Sequence, residues 1–359
     1  MTMQRRTVLA GAAAMVSAPI VRAQSSADSL AEDFLSNNGL PGVTWAVRRS
    51  WGETFQGAAG YADPEAGERM TPDHRMRIAS ISKTITAAMI LTLEAEEQLW
   101  VGHRPFASDG VFRDLVDETL PWLPLLEEIT LDHLLTHTSG GWPNTGHDPM
   151  FWDLDLDHFD LIRKTLVEMP PDTLAGSTYA YSNFGYCLLG RVIEAATGMD
   201  CTSAVQAWLA DPVGATSFAL AGDELADRLP GEVVYVASGG DPYGLRASRM
   251  DSNGGWVMTA GDLLAILAGF DGAGDDAVPH SVAERMAEPY FAEGTYGRGL
   301  ILNPAHGNRW HNGSLPGLTS FAVMLENGDL VCAIANGRTD TSRAAIETLV
   351  FDIYGNVAG

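Results

Sequence analysis

The stretch SISKTITAAMILTLEAEE, residues 80–97, sets the frame for the rest of the chain. Ile85, Ala88, Met89, Thr92 and Leu93 recur at helical spacing, and Glu94, Glu96 and Glu97 follow them, which predicts an amphipathic helix opened by Ser80. At such a start, unpaired backbone N–H groups and the helix dipole favour a developing negative charge. Three residues on, at the spacing that shares a helix face, stands Lys83. The chain has only two lysines against twenty arginines, so a lysine here asks for a reason. Arginine keeps its proton in any protein, whereas a crowded lysine sheds it and acts as a base. A serine hydroxyl needs such a neighbour to become a nucleophile. Taken alone, the tetrapeptide also fits a capping serine followed by a solvated lysine.

Outward from this helix the pattern falls into three zones. Before it, Val43–Val47 and Thr54–Tyr61 read as short strands joined through a turn at Trp51-Gly52-Glu53. From Ser80 to about Met250 the periodicity is mostly helical, with candidate helices at Leu131–Thr136, Leu161–Met169, Phe184–Thr197 and Ser203–Ala210, and Gly198 as a C-cap. From Tyr296 strands return: Phe321–Leu325 and Leu330–Ile334 flank Asn327-Gly328, a strong hairpin signal. Ser342 then caps a last helix with an Ile346, Leu349, Val350, Ile353 stripe. The expected fold class is α/β of the α+β kind. One antiparallel sheet is built from both chain ends and flanked by helices (about 24–79 and 250–359), with a mainly helical part between them (about 80–249). The catalytic helix would begin where the two parts meet, a place where clefts form.

Two further motifs complete a set. Tyr181-Ser182-Asn183 precedes the Phe184–Thr197 helix and offers a phenol and a carboxamide; read alone it is a turn with a helix cap. His311-Asn312-Gly313-Ser314 lies on a late strand, where Gly313 would let a substrate backbone come close. Ser-x-x-Lys, then Tyr-x-Asn, then His-x-Gly, in this order, resembles the serine β-lactamase and D-alanyl-D-alanine carboxypeptidase superfamily, and most closely its class C β-lactamases, DD-peptidases and related esterases. The blocks LLTHTSGG (134–141), YSNFGY (181–186) and GGWVMTAGDL (254–263) also look like that family, so the resemblance covers about residues 30–355.

The resemblance implies that Ser80 is acylated, that Lys83 and Tyr181 share the acid–base work in an order left open, and that Asn183 orients the substrate amide. A charged Lys83 beside Tyr181 would pull the phenol pKa down. The N–H groups of Ser80 and Ser314 would form the oxyanion hole, and His311 and Gly313 would border the substrate. It implies no cofactor and no metal. One departure bears on substrate. His311 stands where class C β-lactamases have lysine, which favours peptidase or esterase activity over β-lactam cleavage. Asn336-Gly337-Arg338 offers an anion anchor in its place, or simply a strand-end turn.

The N-terminus reads as an export signal. Arg5-Arg6 precede an apolar run, Val8–Val21, and Val21-Arg22-Ala23 resembles a cleavage site, so residues 1–23 are expected to be removed after twin-arginine transport to the periplasm or medium. No stable membrane insertion is expected once they are gone. The mature chain would carry 19 basic and 46 acidic residues, a charge of −27, which excludes nucleic acid and anionic membrane as partners. A small-molecule or peptide substrate remains, and oligomeric state is left open. Cys187, Cys201 and Cys332 are an odd set without metal spacing and receive no chemistry. His133 and His137 stand four apart but lack the glutamate of a zincin motif, and no Gly-x-Ser-x-Gly elbow occurs. The function expected is an exported serine hydrolase cleaving an ester or amide (a D-Ala-type peptide, an ester or a β-lactam) through a Ser80 acyl-enzyme. The alternatives are a carboxylesterase with little peptidase activity and a penicillin- or peptide-binding module with little turnover.

Overall fold

Strands from the two ends of the chain pair into one antiparallel sheet. The computed structural model describes residues 17–274 and 276–358; Arg5-Arg6 and residues 8–16 of the export-signal reading lie outside them. The N-terminal strands are β1 (Gly42–Arg48), β2 (Thr54–Asp63) and β3 (Glu68–Arg69). The C-terminal ones are β4 (Ile301–Asn303), β5 (Asn308–Leu315), β6 (Leu318–Met324) and β7 (Leu330–Ala335). Their order is β3-β2-β1-β7-β6-β5-β4, and the ends meet in the β1–β7 ladder, where Val43 faces Ala335 and Arg48 faces Leu330. The expected turns are present: Gly52 and Gly328 both take positive φ, at 94° and 81°, in the β1–β2 and β6–β7 connections.

Period-two alternation distributes the central strands over two cores. Val43, Trp45, Val47, Phe321, Val323, Val331 and Ala333 face the two terminal helices, Ser17–Asn38 and Ser342–Ala358, through Ala31, Phe34, Ile346 and Val350. Ala46, Ala322, Met324, Cys332 and Ile334 face a larger core shared with the helical part. Because both faces are covered, β6 and β7 are buried at every position. All three cysteines are free and buried.

The Ser82–Ala95 helix departs from expectation. It is buried at every residue from Ser82 to Leu93, not amphipathic, because the Asn183–Thr197 helix, the Ser281–Met286 helix and the Asp251–Gly255 turn pack around it. Ser80 lies just ahead of it, in a 3₁₀ turn over Ala79–Ile81. The Asn183–Thr197 helix has the caps its sequence announces: the Ser182 hydroxyl accepts from Gly185 N–H, and Gly198 adopts φ 70°. The expected Ser203–Ala210 helix is instead Cys201–Val205 continued by one wide turn over Gln206–Ala210.

Candidate active site

Among the described residues, five non-glycine positions take positive φ, and one of them adjoins Ser80. Ala79, immediately before Ser80, has φ +48°, a conformation that costs a non-glycine residue free energy and persists only when its surroundings impose it. The surroundings are visible. Ile78 N–H donates to Trp256 O at 2.9 Å, and Ile78 O accepts from Ser320 Oγ at 2.9 Å. On the sheet side Gly313 closes the contact, since a Cβ there would collide with Ile78 O, Ser320 Oγ and the Ala79 side chain. Gly313 is therefore needed for the chain's own Ser80 turn to lie against β5, a correction to the reading that it makes room for substrate. Gly313→Ala should cost about 1–3 kcal/mol by overpacking and displace Ser80, lowering kcat for a p-nitrophenyl ester more than it lowers the melting temperature would suggest. Unchanged kcat would show that the turn tolerates the shift.

Lys83 is completely buried, and its ammonium has three oxygens around it. Nζ lies 3.3 Å from Ser80 Oγ, 2.6 Å from Asn183 Oδ1 and 2.6 Å from Asn253 O. Burial lowers its pKa from 10.5 to about 7, with Asp148 pulling it partly back. At neutral pH a large share of Lys83 is thus the free amine, able to take the Ser80 proton. Tyr181 behaves differently from the sequence expectation. Its ring is 5.1 Å from Lys83 Nζ and its phenol stands beside the Ser80 side chain, yet its pKa is raised, first of all by burial. A phenol enclosed by other aromatic rings holds its proton. In this arrangement Lys83 is the group disposed to accept a proton and Tyr181 the one that keeps its own.

Asn183, at the start of its helix, is clamped from both ends. Its Oδ1 takes the lysine, its Nδ2 donates to Asp148 Oδ2 at 2.7 Å, and its backbone N–H donates to Asn144 Oδ1 at 2.7 Å. Ser80, Asn144, Asp148, Asn183 and Ser314 line one cavity of about 300 Å³, with Phe151 and Trp152 on its rim. The structure therefore brings Ser80, Lys83, Tyr181, Asn183 and Ser314 together.

His311 is placed elsewhere. Alternation along β5 turns His311 and Gly313 inward and leaves Ser314 exposed. His311 is 2% exposed and does not line the cavity; its Nδ1 donates to Asn312 O at 2.7 Å, and its Nε2 accepts from Tyr296 OH at 3.2 Å. Burial lowers its pKa to about 3, so the ring is neutral. Its position behind Tyr181, ring centroids 6.1 Å apart, makes it a support of the phenol and corrects its reading as a substrate contact. His137 supports the same ring from another side at 4.2 Å, held by Ser182 N–H to its Nδ1 at 3.1 Å. His133 is engaged by Thr130 N–H and Tyr290 OH. Asn336 is no anion anchor: its Nδ2 is shared among Tyr61 O, Ala62 O and Val234 O.

Asn144, Asp148 and Asn253 O belong to the site and were not singled out from sequence. Asp148 had a faint local signal, since Asp-Pro marks a turn start, and it does cap the Pro149–Phe151 turn. Nothing local marks the carbonyl of Asn253.

The profile of the family described as Beta-lactamase matches residues 27–354. The chain belongs to the β-lactamase family. Among its relatives is Esterase EstB of Burkholderia gladioli, 34% identical over 199 residues, which are 52% of this chain and 49% of the esterase. The match thus spans about half of that relative's length. The putative penicillin-binding protein PbpX of Bacillus subtilis (strain 168) is 25% identical over 328 residues, 89% of this chain and 77% of PbpX. In structure, the D-amino acid amidase of Ochrobactrum anthropi SV3 superposes with a TM-score of 0.76 at 22% identity, covering 94% of this chain and all of the amidase. That likeness establishes the fold: the antiparallel sheet with flanking helices is the architecture of this family.

Proposed function

We propose that the protein is an exported serine hydrolase that cleaves an ester or amide through an acyl-enzyme on Ser80. The observation that carries the reading is a buried lysine of near-neutral pKa, 3.3 Å from a serine hydroxyl that opens onto a cavity. Neutral Lys83 removes the Ser80 proton as Oγ adds to the substrate carbonyl. The N–H groups of Ser80 and Ser314 receive the oxyanion, an interaction worth roughly 3 kcal/mol per donor. Tyr181 passes a proton to the leaving alkoxide or amine, and the C–O or C–N bond breaks. Water then adds to the acyl carbon by the same route in reverse, Ser80 regains its proton, and the acid departs. No step calls on a cofactor. Residues 24–359 form the mature catalytic unit in this reading, acting on a small-molecule or peptide substrate, with D-Ala-type peptides, esters and β-lactams as the classes to test. No described helix is long and apolar enough to cross a membrane.

A fluorophosphonate label combined with a panel of p-nitrophenyl ester, nitrocefin and a D-Ala-D-Ala peptide tests this. Labelling at Ser80 with turnover of at least one substrate is expected. Labelling without any turnover favours the binding-module alternative, which the intact Ser80, Lys83, Tyr181 and Asn183 set speaks against.

The kcat/KM profile should carry an acid limb set by Lys83. Its free amine is the active form, so activity falls about tenfold per pH unit below about 7 and levels off above it. A profile flat from pH 5 to 9 would remove Lys83 as the base. For export, changing Arg5 and Arg6 to lysine should retain the protein in the cytoplasm. Unchanged secretion on fractionation would replace the twin-arginine route with the general one.

A further inference from the structure

Among the described residues lining the cavity before Ser80, Asp148 is the only one with an ionisable side chain. It is 8% exposed, and it has no ion-pair partner among the described residues. Its Oδ1 accepts from Met150 N–H at 3.0 Å and its Oδ2 from Asn183 Nδ2 at 2.7 Å. A carboxylate has about four acceptor sites, so two donors leave capacity unused. A carboxylate withdrawn from water without a cation is costly, and a cation entering the cavity would offset that cost. Phe151 and Trp152 share the wall, and aromatic faces attract an ammonium as well. The internal cation, Lys83, is held away by Asn183 and directed at Ser80. Nothing on the wall supplies a positive charge for an anionic substrate group.

We propose that Asp148 binds a protonated amine on the acyl part of the substrate, so that esters and amides of amino acids are the preferred class. This rests on the hydrolase reading of Ser80 and adds to it the charge of the acyl group. The neutral His311, buried behind Tyr181, fits the same preference, since it offers no counter-charge to a carboxylate-bearing acyl group.

The test compares alanine methyl ester (both enantiomers), methyl propanoate and N-acetylalanine methyl ester, with acid release followed at constant pH. Wild-type protein should prefer one alanine ester over its N-acetyl form. Asp148→Asn will weaken all substrates to some degree, because Asp148 also fixes the Asn183 amide. The amine-specific effect is the ratio: kcat/KM for the alanine ester relative to methyl propanoate should fall a further tenfold to hundredfold, the scale of a lost charged hydrogen bond. A ratio unchanged in a variant that melts normally would make Asp148 a support for Asn183 and overturn the proposal. Should Asp148→Asn fail to fold, the wild-type protein still decides, because equal or better turnover of the N-acetyl ester excludes an amine site. Ser80 labelling with hydrolysis of methyl propanoate but no amine preference overturns this inference alone. No labelling and no ester hydrolysis overturns it together with the hydrolase reading.

Discussion

Lys83→Arg should abolish acylation, with ester hydrolysis lowered 10²–10⁴-fold or more, about 3–5 kcal/mol in the barrier. Arginine keeps the charge but cannot accept a proton at any working pH, and its planar head is wider than the ammonium. The site has no slack for it, because Nζ is enclosed by Asn183 Oδ1, Asn253 O and Ser80 Oγ. Overpacking should therefore cost about 1–3 kcal/mol of stability as well. Lys83→Met separates the two effects. Methionine nearly conserves the volume and buries no charge, although it leaves Asn183 Oδ1 and Asn253 O without their donor, so this variant should stay folded and be as inactive as the arginine one. Adding Ser80→Ala to it should lower activity no further, since residues that act as a unit are not additive. Either lysine variant, folded and within tenfold of wild-type activity on a p-nitrophenyl ester, would sink the catalytic assignment.

The features that sequence made legible are those written in local chemistry. Asn327-Gly328 forces a tight turn, so the β6–β7 hairpin is readable from two residues and its flanking apolar runs. Ser182 and Gly198 bracket their helix because a hydroxyl cap and a left-handed glycine have few alternative uses. Motif spacing located Ser80, Lys83 and Tyr181 in the same way. What was illegible depends on what a residue is packed against. The helix after Ser80 reads as amphipathic from its apolar spacing and the glutamates that follow it, yet even the hydroxyls of Thr84, Thr86 and Thr92 are satisfied inside the protein, by Gly299 O, Ser252 O and Ala88 O. His311 looked like a substrate contact because its motif borders the site, but strand parity turns it inward. The phenol pKa of Tyr181 moves opposite to the direction expected from Lys83 alone, since burial in an aromatic shell gathered from residues 137, 296 and 311 outweighs the nearby amine. Asp148 reaches the cavity from the 142–152 loop, and only the fold shows which side chain of that loop faces Ser80.

Tyr181→Phe should reveal what its held proton is for. The ring stays packed 4.2 Å from His137 in the variant, so the melting temperature should change little. Only the hydroxyl is lost. Burial keeps that phenol protonated; in the proposed mechanism it delivers a proton to the leaving group, and the need for one depends on the leaving group. An amine or alkoxide cannot depart unprotonated, whereas p-nitrophenolate departs readily as the anion. The loss should therefore reach roughly 10²–10⁴-fold for an alkyl ester or amide but only on the order of tenfold for the p-nitrophenyl ester. Plotting log kcat/KM against leaving-group pKa for wild type and variant measures this directly: the variant line should be steeper. Parallel lines, with one common loss for every leaving group, would instead place Tyr181 at the activation of Ser80 and return part of the base role to the phenol. The two outcomes bear on the pH profile as well. A leaving-group donor leaves the acid limb near pH 7 to Lys83 alone, so that limb should persist unchanged in the phenylalanine variant.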